Sequence, residues 1–430
     1  MQQSWIKNFE ELATTENRKI TLEIMESGLS AINTEKVIES SVSLIGNILV
    51  IEGKEFNLAK FRNIKVVGFG KSSCEAALAL EKILGSKINE GAVIGLNVTT
   101  CEYIETFSGT HPRPSKINTE ASKKIYEIIK NSKEDDLIIV LISGGGSALL
   151  CSTDIECEQG IKLYDAFLKS NKTIAEINTV RKHLSLLKGG GLVKIAYPAT
   201  IVGLIFSDIP GDDFKSVASG PTYKDETTIE DAKKIITENN LGDFNLLETP
   251  KEDKYFDKVH NFVLVSNKTA IEAMAKKARE LNLSAKIVST ELYDEVDVAI
   301  KKIFSAGGDN TVVFAAGEPR ILVPKDGGRG GRNLHLGLLA IKNKMINKND
   351  SQNSVFISFA SDGMDNSDVA GAVVDKNTIE KADKLLLNVD DYLSRFDSYS
   401  FFQKIGGMII TGPTGANVSD LMILLTKNGK

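Results

Sequence analysis

LIIVLISGGGSALL, residues 137–150, is the stretch on which the predicted fold depends. Six consecutive apolar residues, 137–142, are followed at once by SGGGS. A short apolar run rich in isoleucine predicts a strand that is buried on both faces. The three glycines lack a Cβ, so a phosphate group can approach the backbone closely. We expect Ser147 to cap a helix that starts at Ala148, whose free N–H groups would then point at that anion. The alternative is a tight turn without a ligand.

Strand and helix patterns alternate around this stretch. Apolar strand patterns occur at 64–70, 92–96 and 200–206, and helical patterns lie between them. This alternation predicts a Rossmann-like parallel sheet with helices on both faces. Three of the strands end in GFGK (68–71), SGGGS (143–147) and SDIPGD (207–212). Because ligands of such sheets bind at the carboxyl ends of the strands, we expect these three sequences to meet at one rim.

A second α/β block follows a charged segment. Residues 223–260 are rich in charge and are interpreted as a helical connector. Further strand patterns follow at 262–265, 311–314 and 355–358. We therefore predict an α/β protein of two domains, an N-terminal domain at 1–240 and a smaller C-terminal domain at 258–430.

Composition excludes several classes of function. The net charge of −5 gives no electrostatic footprint for nucleic acid. The apolar runs are too short to span a bilayer, and no signal-peptide pattern follows Met1. Four cysteines without a CxxC pair suggest neither a disulfide framework nor a zinc site, and they fit a reducing cytoplasm.

Several charged residues follow the predicted strands. Lys71, directly after Gly70, is a point charge that could meet an anion, although it could also be a solvated helix residue. Asp208 and Asp212 suit Mg²⁺ or a proton acceptor, or they hydrogen-bond within their own turn. Arg181 could bind a carboxylate, or it belongs to a solvated basic face.

The second half repeats this pattern. Arg329 and Arg332 lie in GGRGGRN, where they are interpreted as a mobile anion clamp. Asp362 begins a loop with three aspartates after the strand at 355–358, and its alternative is a self-capped turn. His111 follows Thr110 in a loop, where a lone histidine is more often structural than catalytic. Glycine turns, cations and carboxylates together favour phosphoryl transfer, which depends on positioning and charge neutralisation.

Standard nucleotide motifs do not fit. A Rossmann fingerprint needs a third glycine or an alanine where this chain has Ser73, and an acidic residue about 20 positions later. A Walker A loop would need glycine at Lys65. Protein-kinase signatures are also missing.

The chain resembles the glycerate 2-kinase family with a C-terminal MOFRL domain. The matching stretches are GFGKSS (68–73), GTHPRP (109–114), LISGGGSALL (141–150), NTVRKHLSLLKGGGL (178–192), SDIPGDDFKSVASGPT (207–222), GGRGGRNL (327–334), SDGMDNSDVAGAVVD (361–375) and TGPTGANVSDL (411–421). Two departures are visible. His335 stands where the family has glutamate, and the SDGMDNSD loop is shorter than the family's.

The resemblance implies transfer of a phosphoryl group from ATP to the 2-hydroxyl of D-glycerate, with an active site in the cleft between two α/β domains. It implies catalytic roles for Lys71, Asp208 and Arg332, and substrate contacts for Arg181, Lys71 and Arg332. Nucleotide or phosphate would be held by Ser143, Gly144, Gly145, Gly146, Ser147 and Asn267. We expect Mg²⁺ near Asp212 and Asp362, a cytoplasmic location, and no nucleic-acid or membrane partner, and we leave a homodimer open.

Two other functions remain as alternatives. One is an NAD(P)H-dependent hydroxypyruvate reductase, for which the same carboxylate-binding residues would serve. The other is a sensor that binds a sugar acid or a nucleotide without turnover.

Overall fold

The computed structural model describes residues 4–167, 174–211, 213–346 and 353–427. Its contacts divide the chain into two compact units. The N unit comprises Thr34–Ile209 and Asp213–Leu264, and the C unit comprises Met1–Asn33, Pro210–Asp212 and Val265–Lys430. The first 33 residues therefore group with the C unit, whereas the sequence placed them in the N-terminal domain.

The helices of the described ranges are α1 (Phe9–Leu12), α2 (Glu16–Ala31), α3 (Thr34–Ser41), α4 (Ser73–Leu84), α5 (Lys116–Ile129), α6 (Gly146–Leu149), α7 (Asp154–Phe167), α8 (Ile174–Lys182), α9 (Gly191–Ala196), α10 (Ile229–Glu238), α11 (Asn267–Glu280), α12 (Val296–Ser305), α13 (Arg332–Lys342), α14 (Lys376–Lys384), α15 (Val389–Ser394) and α16 (Ser398–Ile405). None of them is both long enough and apolar enough to cross a membrane.

The strands of the same ranges are β1 (Val42–Ile45), β2 (Ile48–Ile51), β3 (Lys54–Asn57), β4 (Asn63–Phe69), β5 (Glu90–Gly95), β6 (Glu105–Ser108), β7 (Asp136–Ser143), β8 (Thr200–Phe206), β9 (Val259–Val265), β10 (Ser284–Ser289), β11 (Thr311–Gly317), β12 (Val355–Ala360), β13 (Gly371–Val374), β14 (Met408–Ile409) and β15 (Asp420–Thr426).

The N unit is built on a six-stranded sheet with the order β6-β5-β4-β7-β8-β9. The four pairs from β6 to β8 are parallel. Every residue of β7 is buried, and Ile138, Val140 and Ile142 share one core cluster with residues of α5 and α9. The alternate residues are buried as well, so helices cover both faces, as the apolar run predicted. Strands β1 to β3 form a separate antiparallel sheet.

The C unit contains a mixed sheet with the order β10-β11-β15-β12-β13-β14. Only β10 and β11 pair in parallel among its described strands, and the pairs from β11 to β14 are antiparallel. The helix α2 packs on α11 of this unit. Two α/β units with these sheets confirm the predicted fold class.

Two expectations about the chain were wrong. The segment 223–260 is not a helical connector: it contains one α-helix, α10, and no further helix longer than a single turn. Its last residues already belong to β9, which extends the N-unit sheet. Cys151 and Cys157 form a disulfide, with Cα atoms 5.6 Å apart, although the absence of a CxxC motif predicted no disulfide. Only the packing of α7 against the chain after α6 brings the two sulfurs together.

Candidate functional site

A glycine loop follows β7 at the rim of the N unit. Gly145, with φ at +78°, caps α6, which starts at Gly146 and not, as predicted, at Ala148. Ser147 lies within that single helical turn, and its hydroxyl shares a 2.8 Å hydrogen bond with Ser219 Oγ. A Cβ on Gly144 would collide with the Asp208 carboxylate, so Asp208 lies directly against the loop backbone. The close approach that the glycines allow is therefore already used by the protein itself.

Lys71 reaches the same loop from β4. The backbone N–H of Lys71 donates to the carbonyl of Gly144 at 2.8 Å. The Lys71 side chain passes close to Gly145, because a Cβ there would lie 3.0 Å from Lys71 Cγ. Ser143 Oγ accepts from Ser72 N–H at 3.1 Å and lies 3.1 Å from Ser73 Oγ. The Ser143 hydroxyl thus joins the two strand-end loops, which leaves nucleotide binding by this side chain as a prediction.

His111 is a residue that sequence reasoning underestimated. Its Nε2 lies 3.3 Å from the Cβ that Gly145 lacks, on the loop surface that Lys71 also borders. Desolvation, with smaller effects from the charges of Lys71 and Arg181, lowers the pKa of His111 to about 4. The imidazole is neutral at pH 7 and can accept a hydrogen bond. A signal existed, since GTHPRP follows β6, whose carboxyl end lies at the same rim.

Arg181 has surroundings that differ from those of its neighbours. Its side chain makes no hydrogen bond or ion pair with the described residues, and burial lowers its pKa. Lys182 instead donates to Asp225 at 3.0 Å, and His183 is fully buried, with Nδ1 2.9 Å from the carbonyl of Leu247. The helix α8 ends at Lys182, where this network begins. Arg181 is therefore the cation of the three that can meet a carboxylate.

The C unit has its own polar rim. Antiparallel register places Asp420, the first residue of β15, opposite Gly317 of β11 and Ala360 of β12. Arg332, the first residue of α13, lies beside it, with Nε 3.1 Å from Asp420 Oδ2. Sequence reasoning missed Asp420, although it is the second-last residue of the TGPTGANVSDL motif.

The two arginines of GGRGGRN have different partners. Arg329 pairs with Asp368 at 2.6 Å and stacks over the ring of Tyr399 at 3.8 Å. Arg332 contacts Glu318 and Asp420 instead. A joint clamp on one anion stays a prediction, and it would require Arg329 to leave Asp368.

The aspartates of the 361–375 stretch have local partners. Asp365 accepts from the N–H groups of Asn333 and Leu334 at 3.1 and 2.8 Å, and so caps α13. Asp362 accepts from Met364 N–H at 3.0 Å, as expected for a self-capped turn. Asp212 lies outside the described residues, and the described residues contain no group of three or more metal-binding side chains. Mg²⁺ binding therefore stays a prediction.

Two more predicted positions have visible surroundings. Asn267 Nδ2 donates to the carbonyl of Thr290 at 2.9 Å and lies 3.4 Å from Ser419 Oγ. It thereby ties strand-end loops of the C unit together, and nucleotide binding stays a prediction. His335 is buried and stacks on Phe396 at 5.5 Å, so the residue that replaces the family's glutamate packs against an aromatic ring.

Comparison with known proteins settles the family. A domain of unknown function, DUF4147, matches residues 20–249, and the MOFRL family matches residues 311–420. A glycerate 2-kinase from Pyrococcus horikoshii is 33% identical, covering 96% of this chain and 98% of its own. The chain belongs to the glycerate 2-kinase family.

Two further relatives are similar over most of the chain, and their names differ. The crystal structure of a glycerate kinase from Thermotoga maritima superposes with a TM-score of 0.83 at 29% identity, covering 95% of this chain and 99% of that one. An Agrobacterium vitis protein that carries the provisional name hydroxypyruvate reductase is 33% identical over 84% of this chain and 98% of its own. The resemblance read from the motifs is confirmed.

Proposed function

We propose that this protein transfers the γ-phosphoryl group of ATP to the 2-hydroxyl of D-glycerate, giving 2-phosphoglycerate and ADP. The single observation that carries the proposal is family membership over nearly the whole chain. The cluster of Lys71, His111 and Asp208 against the glycine loop supports it, because phosphoryl transfer needs fixed cations and an oriented acceptor.

The residues of the N unit suggest a division of roles. Backbone N–H groups of the Gly144–Gly146 loop bind phosphate oxygens beside the side chains that already border the loop. Lys71 neutralises the charge of the moving phosphoryl group. Asp208 orients the 2-hydroxyl or accepts its proton. Arg181 binds the glycerate carboxylate, because it is a desolvated guanidinium without a described protein partner. In the C unit, Arg332 is proposed as a further catalytic and substrate-binding cation.

Magnesium fits this proposal with few protein ligands. Mg²⁺ usually retains water and substrate phosphates and takes only one or two carboxylates from the protein. The missing cage of three carboxylates in the described residues is compatible with that mode. Asp212 and Asp362 are the residues proposed to hold the ion, which would neutralise charge on the phosphates.

We also propose a cytoplasmic location, where ATP is available. The Cys151–Cys157 disulfide would then be an uncommon one, because thiols of cytoplasmic proteins are usually reduced.

The test is a coupled assay of the purified chain with ATP, Mg²⁺ and D-glycerate. The product is passed to enolase without a phosphoglycerate mutase. We expect ATP consumption and an enolase signal in equal amounts. ATP consumption without that signal would assign the phosphate to another position or acceptor. NADH oxidation on hydroxypyruvate without ATP turnover would overturn the kinase proposal in favour of the reductase, and ligand binding without either turnover would leave a sensor.

A further inference from the structure

Asp420 is a buried carboxylate at the centre of the C-unit rim. The residue is 7% exposed, and the β-ladders on both sides fix its backbone opposite Gly317 and Ala360. Its Oδ2 is buried without a hydrogen-bond partner in the described part of the chain. The cation that faces it is Arg332, whose Nε lies 3.1 Å away. A buried carboxylate needs such a partner, because an unpaired charge is costly to desolvate.

The Arg332 guanidinium is held along one side. Its Nη1 lies 3.4 Å from Glu318 Oε2 and 3.4 Å from the carbonyl of Pro319. No described residue accepts a hydrogen bond from Nη2, which keeps both of its N–H donors. Asp420 is the more rigid of the two acidic partners, since its side chain is 10% exposed and that of Glu318 is 45% exposed.

Asp365 cannot take over this role. Both of its oxygens already accept hydrogen bonds from the first turn of α13, at Asn333 and Leu334. Asp365 therefore fixes the helix that begins with Arg332, while Asp420 meets the guanidinium itself. Backbone and side chain of Arg332 are thus held by two different carboxylates.

We propose that Asp420 is a positioning residue for Arg332, holding Nε of the guanidinium so that the donors of Nη2 remain free for an anionic group of the substrates. This inference rests on the proposed function, in which Arg332 contacts glycerate or the moving phosphoryl group. Asp420 touches no reacting atom in this role and acts only through Arg332.

The test is a double-mutant cycle in the full chain. We expect Asp420→Asn to lower kcat/KM about 10-fold or more, and to change the same parameter, kcat or KM, that Arg332→Lys changes. In an Arg332→Ala background, the added Asp420→Asn substitution should change the remaining activity less than about twofold. Asp136→Asn, at a carboxylate of the N unit that is 2% exposed, controls for the loss of a buried charge.

The inference has a readout that does not need turnover. The ¹⁵N signal of Arg332 Nε is identified by its loss in Arg332→Lys, and its relaxation should indicate a rigid side chain in the wild type and a mobile one in Asp420→Asn, where the ion pair is lost. Asp420→Ser replaces the latter if it does not fold. Unchanged rigidity, wild-type kcat/KM in a folded variant, or an undiminished effect in the Arg332→Ala background would overturn the inference. Absence of glycerate-dependent turnover in the wild type, with the rigidity changing as expected, would instead overturn the proposed function.

Discussion

At the scale of single residues, the N-unit rim concentrates positive charge around a loop that carries no side chains. Lys71 and His111 both border Gly145, and Asp208 lies against Gly144. Arg181 contributes positive charge to the surroundings of His111. A neutral imidazole between cations and one carboxylate form a set that can bind an anion and orient a hydroxyl group.

Lys71 is the cation whose removal should affect catalysis most. Lys71→Ala should reduce kcat/KM for D-glycerate at least ~100-fold, about 2.7 kcal/mol of transition-state stabilisation, because the developing charge loses its fixed counter-ion. Steady-state kinetics on the purified variant measure this. Lys116→Ala, at a lysine whose side chain is 88% exposed, is the control and should keep normal rates. A folded Lys71→Ala protein with a near-normal rate would remove Lys71 from the mechanism.

His335 should make the protein sensitive to acid. Burial lowers the pKa of His335 to about 4 from an ordinary value of 6.5, so the folded state binds this proton more weakly than the unfolded state does. The contribution of His335 to the free energy of unfolding is complete above about pH 6.5. It falls as the pH drops towards 4, and the loss is about 2 kcal/mol at pH 5.

Urea unfolding at pH 7.5 and pH 5.0 measures that difference. His335→Gln should reduce the loss between the two pH values by about 2 kcal/mol, because glutamine does not titrate. An equal loss in both proteins would show that His335 does not cause it.

At the scale of elements, one loop sets the start of α13. Asp365 reaches back from the SDGMDNSD loop to accept three hydrogen bonds, two of them from backbone N–H groups. These bonds satisfy donors that every helix leaves free in its first turn. The shorter loop in this chain is therefore compatible with a fixed Arg332.

Loss of this cap should destabilise the C unit. Asp365→Ala should lower the free energy of unfolding by about 2 kcal/mol, since buried N–H groups lose their acceptor. Asp368→Ala, in the same loop, breaks the exposed ion pair with Arg329 and should cost about 0.5 kcal/mol or less. Urea titrations of the two variants provide the comparison. Equal effects would contradict the capping role.

At the scale of the whole molecule, the N-terminal segment is part of the C unit. Arg18 on α2 forms a bidentate pair with Asp375, which itself caps α14, and both side chains are 5% exposed. Asn8 binds the backbone of Met408 and Ile410. Residues 400 positions apart thus stabilise one unit.

Breaking the ion pair between Arg18 and Asp375 should lower the free energy of unfolding of the C unit. Arg18→Ala should cost about 3–5 kcal/mol, because Asp375 would remain buried without its counter-ion. Fluorescence of Trp5, the single tryptophan, follows the unfolding of the segment that carries Arg18. Lys82→Ala, which breaks an exposed pair with Glu35, should leave the unfolding transition nearly unchanged, because water screens that pair. A similar loss of stability in both variants would show that the Arg18–Asp375 pair does not stabilise the C unit.

The sequence by itself determined the α/β class, the strand at 137–142 and the family. These follow from local information, namely a buried apolar run, glycine punctuation and ordered motifs. Only the tertiary structure decided which side chains meet. Asp420 at the start of β15 lies beside Arg332 at the start of α13, and Arg18 reaches Asp375 across 357 residues. Both pairings depend on contacts between distant segments, and neither periodicity nor spacing along the chain records them. Cys151 and Cys157 are separated by only 6 positions, but no spacing motif indicates their disulfide, which depends on the local path of the chain into α7.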